Sequence, residues 1–284
     1  MDKFVAGSWG ELESHQSESS PLPDLHAVVN HTWHQLRAVC PTLPEHIDVD
    51  IEYDKSMVGK HVLGYASRTM FLKDNMWISS MKFPWYAKTD VLIRINPGVP
   101  NGWHSSLDGT CNIGWRYDLN TVVMHELLHG AGITSSITSD SVGYTSGSSG
   151  SSGSSGCYPT LMDTKIQDRY GHVVDGCNMR RSDHYHIDGV SLYTPKHHNP
   201  GSSFSHHNMI GHPMYYNLPA RKCLNIGRYE TALLTALGET CVDVDFHIGP
   251  NGSNGSNGSN GSNGYNGSTP YALLLFLLVV WLRI

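Results

Sequence analysis

The spacing of apolar residues along the chain predicts three amphipathic helices. The first begins after Asp24, a residue type that commonly caps helices, and its apolar positions recur at helical spacing. Those positions are Leu25, Val28, Val29, Trp33, Leu36 and Val39. A second helical pattern, RYDLNTVVMHELLHG, has Asp118 or Asn120 near its start, and a third, RYETALLTALG, covers residues 228–238.

Strand-like runs lie between the first and second helices. HIDVDIEYD at 46–54, VLGYASRTMFL at 62–72 and DVLIRINP at 90–97 are rich in β-branched and aromatic residues. The region from 157 to about 218 is less regular. This order predicts an α+β fold with a mixed sheet and an irregular C-terminal subdomain, in one folded domain over residues 24–248.

Four other segments have compositions that do not suit a folded core. Residues 1–23 are polar and rich in Ser, Glu and Pro, which predicts disorder. SGSSGSSGSSG at 146–156 predicts a mobile loop insertion, and the NGS repeats at 249–270 predict a flexible stalk. The last segment, 271–284, is an apolar tail.

The tail is apolar from Ala272 to Leu282, which is shorter than the roughly 20 residues that cross a bilayer as a helix. Small residues, a polar spacer and a short apolar tail are the order of a lipid-anchor signal, with 262–264 as the attachment region. A short membrane anchor and a buried terminal strand are the alternatives. Residues 1–16 lack the apolar core of a signal peptide, so the secretion route is not visible.

The charge balance argues against a nucleic-acid partner. Lys and Arg number 19 against 25 Asp and Glu, the net charge is -6, and no basic stripe stands out. The 18 histidines instead raise the expectation of a metal site without locating it.

Cysteines and glycosylation motifs predict an extracellular or cell-surface setting. The six cysteines are scattered singly, without a CxxC pair, which predicts three disulfides. They are Cys40, Cys111, Cys157, Cys177, Cys223 and Cys241. Asn30 in NHT, and the asparagines of the NGS repeats, are formal N-glycosylation sites, although the repeats also suit a plain flexible linker.

HELLH, residues 125–129, carries the strongest chemical signal in the chain. On a helix, His125 and His129 project from the same face one turn apart, so both imidazoles can bind one ion. A catalytic zinc keeps a place for water, whose pKa it lowers to about 7, and Glu126 would accept that water's proton. The alternative is an amphipathic helix with ordinary polar histidines, but a buried His-Glu-His cluster is costly to desolvate without a metal.

The third ligand is not evident from this helix. Gly130 and Gly132 end it, and HExxHxxG begins a zinc-peptidase pattern in which a third histidine follows, yet Ser135 occupies that place. PGSSFSHHNMIGHPMYYN, residues 200–217, offers other candidates, unless it is a His-rich loop without metal. The candidates are His206, His207 and His212, and Glu230 of the third helix if the site is of the His-His-Glu kind.

Four separated stretches resemble metzincin-like zinc peptidases with a delayed third histidine, the leishmanolysin arrangement. They are YDLNTVVMHELLHGAGI, IQDRYGHVV, LYTP with PGSSFSHHN, and ETALLTALG, between about residues 90 and 241. The chain is similar also to secreted zincins in which a GSSxSHxD segment supplies the ligand before a methionine turn. The resemblance implies a zincin fold, with 90–97 as an edge strand that pairs with an extended peptide, where the residues alone also suit an interior strand.

Carried over position by position, the resemblance implies specific roles. The zinc ligands would be His125, His129 and His206, with Glu126 as the base. Asn208 stands where the segment usually has aspartate, so His207 and His212 stay open as the third ligand.

The same resemblance implies two further residues after the third ligand. Met214 would form the methionine turn beneath the metal, with Met209 as the alternative. Tyr216, two places after Met214, would support the oxyanion of the transition state, although a packing role suits a tyrosine there as well. DHYHID at 183–188 has metal-like spacing, and a solvated loop is its plainer interpretation.

The sequence therefore predicts a zinc endopeptidase of the metzincin kind that acts on protein or peptide substrates and is attached to a membrane through its C-terminal tail. One alternative is a zinc-stabilised, non-catalytic binding or adhesion module. Another is metal-dependent hydrolysis of a non-peptide amide or ester. The sequence does not indicate an oligomeric state.

Overall fold

The structure is a computed structural model of the chain. It describes residues 2–5, 22–74, 76–82, 89–105, 107, 110–137, 159–174, 184–199 and 201–242. The chain divides into two compact units, Met1–Phe246 and His247–Ile284, and all the described residues belong to the first. The predicted loop insertion, stalk and apolar tail lie outside the described residues.

The architecture is mixed α+β, with small sheets and three helices among the described residues. The strands are β1 Asp2–Val5, β2 Val49–Tyr53, β3 Val62–Arg68, β4 Met70–Lys73, β5 Met76–Ser79, β6 Val91–Ile95, β7 Trp103–His104, β8 Tyr117–Asp118, β9 His186–Ile187 and β10 Val190–Ser191. The helices are α1 Leu25–Val39, α2 Leu119–Gly130 and α3 Arg228–Ala236.

The main sheet has four strands in the order β1-β3-β6-β2. β2 and β6 pair in parallel, whereas β3 is antiparallel to β6 and β1 is antiparallel to β3. The sheet is therefore mixed, as predicted. Three two-stranded pairs, β4-β5, β7-β8 and β9-β10, complete the strand pairing of the described residues.

The sheet differs from the sequence-based expectation in three places. The run at 62–72 forms two strands, β3 and β4, with a break at Thr69. β6 lies inside the sheet, between β3 and β2, so the expectation of an edge strand at 90–97 is wrong. Its buried Val91, Ile93 and Ile95 belong to the hydrophobic core that also contains α2. β1 lies within the segment 1–23, for which the composition predicts disorder.

α1 begins where the sequence predicts. The Asp24 carboxylate accepts hydrogen bonds from the backbone N–H of His26 at 3.0 Å and of Ala27 at 3.3 Å, which satisfies two donors of the first turn. The residues predicted on one face are buried or partly buried in the hydrophobic core. α1 packs against α2 and β2, so it covers one side of the central helix.

α2 is buried along its whole length, and it packs against β3 and β6 of the main sheet. Asp118 is its N-cap, and it accepts from the backbone N–H of Thr121 at 2.9 Å. At the other end a Cβ on Gly130 would meet Val91 Cγ2 at 2.5 Å, so only glycine lets the helix lie this close to β6. The Gly130 carbonyl accepts from the Ser79 hydroxyl at 2.8 Å.

The described residues between 159 and 224 contain little regular structure, as predicted, and α3 follows them. Leu233 and Leu234 of α3 are buried in the same hydrophobic core as α2. No helix among the described residues is long and apolar enough to cross a bilayer.

Two disulfides tie distant parts of this unit together. Cys40 pairs with Cys241, and Cys111 pairs with Cys223. The third predicted pair falls on residues outside those described. Disulfides of this kind are typical of an extracellular or otherwise oxidising environment, as expected from the sequence.

Candidate metal centre

Three buried histidines converge at the centre of the unit. His125 and His129 lie one turn apart on α2, and His206 comes from the loop at 201–217. The Nε2 atom of His125 lies 3.0 Å from Nε2 of His129 and 3.0 Å from Nε2 of His206. All three residues are at most 1% exposed. The group could hold a metal ion, as the sequence predicts.

Backbone carbonyls fix which nitrogen of each ring carries the proton. Nδ1 of His125 donates to the Pro213 carbonyl at 2.7 Å, and Nδ1 of His129 donates to the Ile133 carbonyl at 2.7 Å. Nδ1 of His206 donates to the Ser202 carbonyl at 2.9 Å. A carbonyl oxygen can only accept, so each Nδ1 holds the proton and each neutral ring presents an Nε2 lone pair.

Three lone pairs that point at one another repel unless a cation lies between them. Burial, and then the neighbouring His129 and His206 rings, hold the pKa of His125 well below its ordinary value, so that ring is neutral. Two imidazoles bound tetrahedrally to zinc at about 2.0–2.1 Å have nitrogens about 3.3 Å apart. The observed separations of 3.0 Å are close to that value, so the three rings fit a single ion.

The end of α2 supplies the anchor for His129. Gly132 adopts a left-handed backbone conformation, with φ of +115°, and its N–H donates to the His129 carbonyl at 3.1 Å. The turn brings the Ile133 carbonyl back to the His129 ring. Gly132, the glycine of HExxHxxG, therefore turns the chain sharply. The turn brings the site a hydrogen-bond acceptor for the His129 ring, not a third ligand.

Ser135, which stands where a third histidine would follow, holds the loop that carries His206. Its backbone N–H donates to the Ser205 hydroxyl at 3.0 Å, and its own hydroxyl donates to Asp163 at 2.5 Å. Asp163 is 1% exposed, and it also accepts from the backbone N–H of Ser136 at 3.0 Å. No sequence pattern indicates this buried aspartate, because Ser135 and Ser136 lie far from it in the chain.

His206 is fixed on both its backbone and its ring. Its carbonyl accepts from the N–H of Tyr193 at 2.8 Å, and the Tyr193 carbonyl accepts from the N–H of Phe204 at 3.0 Å. This short ladder holds the loop in place although it forms no helix or regular strand.

The other three candidate ligands form a separate cluster. Nε2 of His207 donates to Oε1 of Glu230 at 2.7 Å, and Nδ1 of His212 donates to Oε2 of Glu230 at 3.3 Å. None of the three belongs to the group of converging nitrogens. Of the alternatives raised by the sequence, the structure therefore places only His206 with the histidines of α2.

The two candidate methionines differ in burial. Met214 is fully buried, and it directly follows Pro213, whose carbonyl anchors His125. Met209 is only partly buried, and its N–H donates to Nδ1 of His207 at 3.2 Å. Met214 is thus the methionine that adjoins the histidine group.

Tyr216 lies in an aromatic stack beside the loop. Its ring is stacked on Tyr193 with centroids 3.8 Å apart, and the ring of Tyr215 lies 4.5 Å away. A hydrogen bond with Tyr216, and then burial, raise the pKa of Tyr215 to about 12. The described contacts of Tyr216 are with the rings of Tyr193 and Tyr215. An oxyanion role for Tyr216 stays a prediction.

Glu126 lies between the two histidines of α2 in sequence and is 1% exposed. A carboxylate buried to this extent is favoured where a positive charge lies near it. A cation held by the three histidines would supply such a charge.

A second group of potential metal ligands is already engaged in other bonds. His104, Asp118 and Cys223 have ligand atoms within 4.8 Å of one another, but Cys223 is bonded to Cys111 and Asp118 caps α2. The DHYHID segment contributes β9, in which His186 pairs with Ser191 of β10, and its described histidines belong to neither ligand group.

Comparisons with known proteins identify no relative: no protein-family model matches the chain, and neither a curated protein nor a solved structure matches it. The metzincin resemblance therefore remains a prediction that rests on the motif residues.

Proposed function

We propose that this protein is a zinc-dependent endopeptidase of the metzincin kind, with His125, His129 and His206 as the metal ligands. The observation that supports the proposal best is the set of three buried Nε2 lone pairs, each directed by a carbonyl on the opposite ring nitrogen. Ligating histidines in metalloproteins commonly use this same arrangement, because it fixes both the tautomer and the ring orientation.

Imidazole nitrogens suit zinc, copper, iron and nickel, and a neutral set of three leaves a coordination position open. Zinc bound there would supply an activated water at neutral pH and would polarise a substrate carbonyl. Glu126, one residue after His125 on the same helix, would hold the proton removed from that water and release it to the leaving nitrogen.

The test is metal content and peptide cleavage by the purified, oxidised full-length chain. We expect one zinc per chain and cleavage of a denatured protein substrate. Glu126→Gln keeps the side-chain volume and removes the base, so it should retain the zinc and lower the cleavage rate by roughly 10²–10⁴. A Glu126→Gln chain that cleaves like the parent would refute the assigned role of Glu126.

A zinc-stabilised, non-catalytic module is the second candidate, and one observation favours it. The three histidines and Glu126 are each at most 1% exposed, whereas hydrolysis requires substrate and water to reach the metal. A parent chain that binds zinc, loses stability when a chelator removes it, and cleaves no member of a peptide, amide and ester panel would establish this alternative. Cleavage of only the non-peptide members would establish hydrolysis of a different substrate class.

The proposed setting is the cell surface. The two disulfides fit an oxidising compartment, and Asn30, the described glycosylation motif, is exposed on α1. Attachment to a membrane through residues 271–284 is part of the proposal and rests on the sequence alone, because the tail lies outside the described residues.

A further inference from the structure

Glu230 is a buried carboxylate with four hydrogen-bond donors, close in sequence and in space to the residues that anchor the metal centre. It lies in the first turn of α3 and is fully buried. Oε1 accepts from Nε2 of His207 at 2.7 Å and from the N–H of Met214 at 3.2 Å. Oε2 accepts from the N–H of Gly227 at 3.0 Å and from Nδ1 of His212 at 3.3 Å. Each carboxylate oxygen thus has two donors, and three of the four belong to the segment that follows His206.

One of these bonds connects Glu230 to His125 through a single peptide unit. The N–H of the Pro213–Met214 peptide donates to Glu230, and the C=O of the same peptide accepts from Nδ1 of His125. A negative charge at the N–H end of a peptide group increases the electron density on its carbonyl oxygen. The carbonyl then accepts more strongly from His125, which increases the basicity of Nε2 on the metal side of that ring.

A second connection runs to His206 through its neighbour in the chain. The His207 ring is fully buried and is held by Glu230, while the His207 N–H donates to the Met214 carbonyl at 3.2 Å. His206 and His207 are adjacent, so fixing the ring and the backbone of His207 limits the movement of the His206 Cα. The same carboxylate oxygen therefore acts on ligands from two different elements, α2 and the loop.

The charge on Glu230 is maintained in this environment. Burial would raise the pKa of the carboxyl, but hydrogen bonds and electrostatic interactions with His207 and His212 outweigh it and lower the pKa to about 2. A fully buried carboxylate far from solvent is costly unless every lone pair has a donor, and Glu230 meets that condition with four.

We propose that Glu230 is a positioning residue of the metal centre, which orients His125 through the Pro213–Met214 peptide and His206 through His207. The proposal rests on the metal centre described above but not on peptidase activity. Glu230 would thus orient two ligands without contacting the metal, whereas the sequence suggested it as a possible direct ligand.

The experiment measures zinc affinity of the oxidised full-length chain by competition with a chelator. Glu230→Gln keeps the shape of the side chain and removes the charge, so zinc affinity should fall roughly 10- to 100-fold, the range for residues behind a ligating histidine. Glu239→Gln is the matched control, because Glu239 is also buried and accepts from Thr42 and Lys82 away from the histidine group. It should lower stability and leave zinc affinity unchanged.

A cobalt-substituted chain separates positioning from general destabilisation. Glu230→Gln should shift the visible absorption bands of bound Co²⁺, which report the ligand field, whereas Glu239→Gln should not. Glu230→Asp keeps the charge and should recover part of the affinity. Equal zinc affinity and identical Co²⁺ spectra for the parent and Glu230→Gln would overturn the proposal.

Two histidine variants decide the matter if Glu230→Gln does not fold. His207→Leu and His212→Leu each remove one donor to Glu230, but only His207 adjoins a ligand. His207→Leu should weaken zinc binding more than His212→Leu, and equal affinities would again overturn the proposal. A parent chain without zinc refutes the metal centre and this inference together, whereas one that binds zinc without cleaving peptides refutes only the proposed function.

Discussion

α2 and the loop at 201–217 bring ligands to one centre in different ways. α2 presents His125 and His129 by its own geometry, since residues four apart on a helix lie on one face. The loop has no such repeat, and His206 is held by a backbone bond with Tyr193, by the bond of Ser135 to its neighbour Ser205 and, through His207, by Glu230. Each of these partners belongs to another part of the chain.

The difference teaches that a ligand on a regular helix needs only a short motif, whereas a ligand on a loop needs a distributed set of anchors. In the helix, intrahelical hydrogen bonds set the backbone geometry that places both rings on one face. In the loop, tertiary hydrogen bonds must fix it, so substitutions far from the metal should affect His206 more than His125 or His129.

The largest effect is expected from removing the loop's ligand. His206→Ala should lower zinc affinity more than roughly 100-fold, because the site loses one of its three ligands. Bound zinc should stabilise the parent by about 4 kcal/mol at a free zinc concentration 1,000 times its dissociation constant, and the variant should lose at least about 2.7 kcal/mol of this at the same zinc concentration. Calorimetry with and without zinc measures the zinc affinity and the stabilisation by bound zinc. A His206→Ala chain that binds zinc like the parent would show that the third ligand lies elsewhere.

The disulfide between Cys111 and Cys223 joins the segment before α2 to the segment after the loop, and its loss should have the next largest effect. Replacing both cysteines by serine should lower the free energy of unfolding by about 2–5 kcal/mol. Equilibrium unfolding by denaturant measures this loss of free energy. The matched control replaces Cys40 and Cys241 by serine. It should lose a similar amount of stability without a change in zinc affinity. A change in its zinc affinity would show that the Cys40–Cys241 disulfide affects the metal site.

The anchor at Asp163 should have an intermediate effect. Asp163→Asn leaves buried donors of Ser135 and Ser136 without a charged acceptor, which costs about 1–3 kcal/mol. Thermal unfolding of the zinc-free chain measures this loss. Asp168→Asn, in an exposed turn, is the control and should change stability by less than about 0.5 kcal/mol. Equal losses for the two variants would argue against Asp163 as an anchor.

The smallest effect is expected from Gly227→Ala, which perturbs one side of the Glu230 cluster. The added Cβ would lie 2.8 Å from Nδ1 of His212, so the His212 ring must shift away. Stability should fall by no more than about 1 kcal/mol, because the ring is the movable end of a partly exposed side chain. Zinc affinity should not change, since His212 adjoins no ligand. A clear drop in zinc affinity would show that His212 also helps to anchor the ligands.

The sequence predicts the parts of this molecule that depend on local spacing. The three helices start within a residue or two of the predicted positions, and Asp24 and Asp118 cap α1 and α2. His125 and His129 are predicted for the same reason, because their convergence follows from helix geometry.

Contacts between distant segments are what the spacing does not reveal. It offers His206, His207 and His212 as candidates, of which the resemblance favours the first, and only the fold shows that Glu230 binds the second and third. Likewise, the alternation in β6 does not distinguish an edge strand from an interior one, because that depends on whether β2 and β3 lie beside it.

The disulfide between Cys40 and Cys241 has a consequence for biosynthesis. The two cysteines are 201 residues apart, so at about 5–20 residues per second the first is made on the order of 10–40 s before its partner. During that interval the thiol of Cys40 has four other cysteines of the same chain available as wrong partners. Correct pairing therefore requires the segment after α3 to reach the C-terminal end of α1, where the Val242 N–H donates to the Val39 carbonyl at 2.8 Å. A chain truncated before residue 241 would leave the Cys40 thiol without this partner.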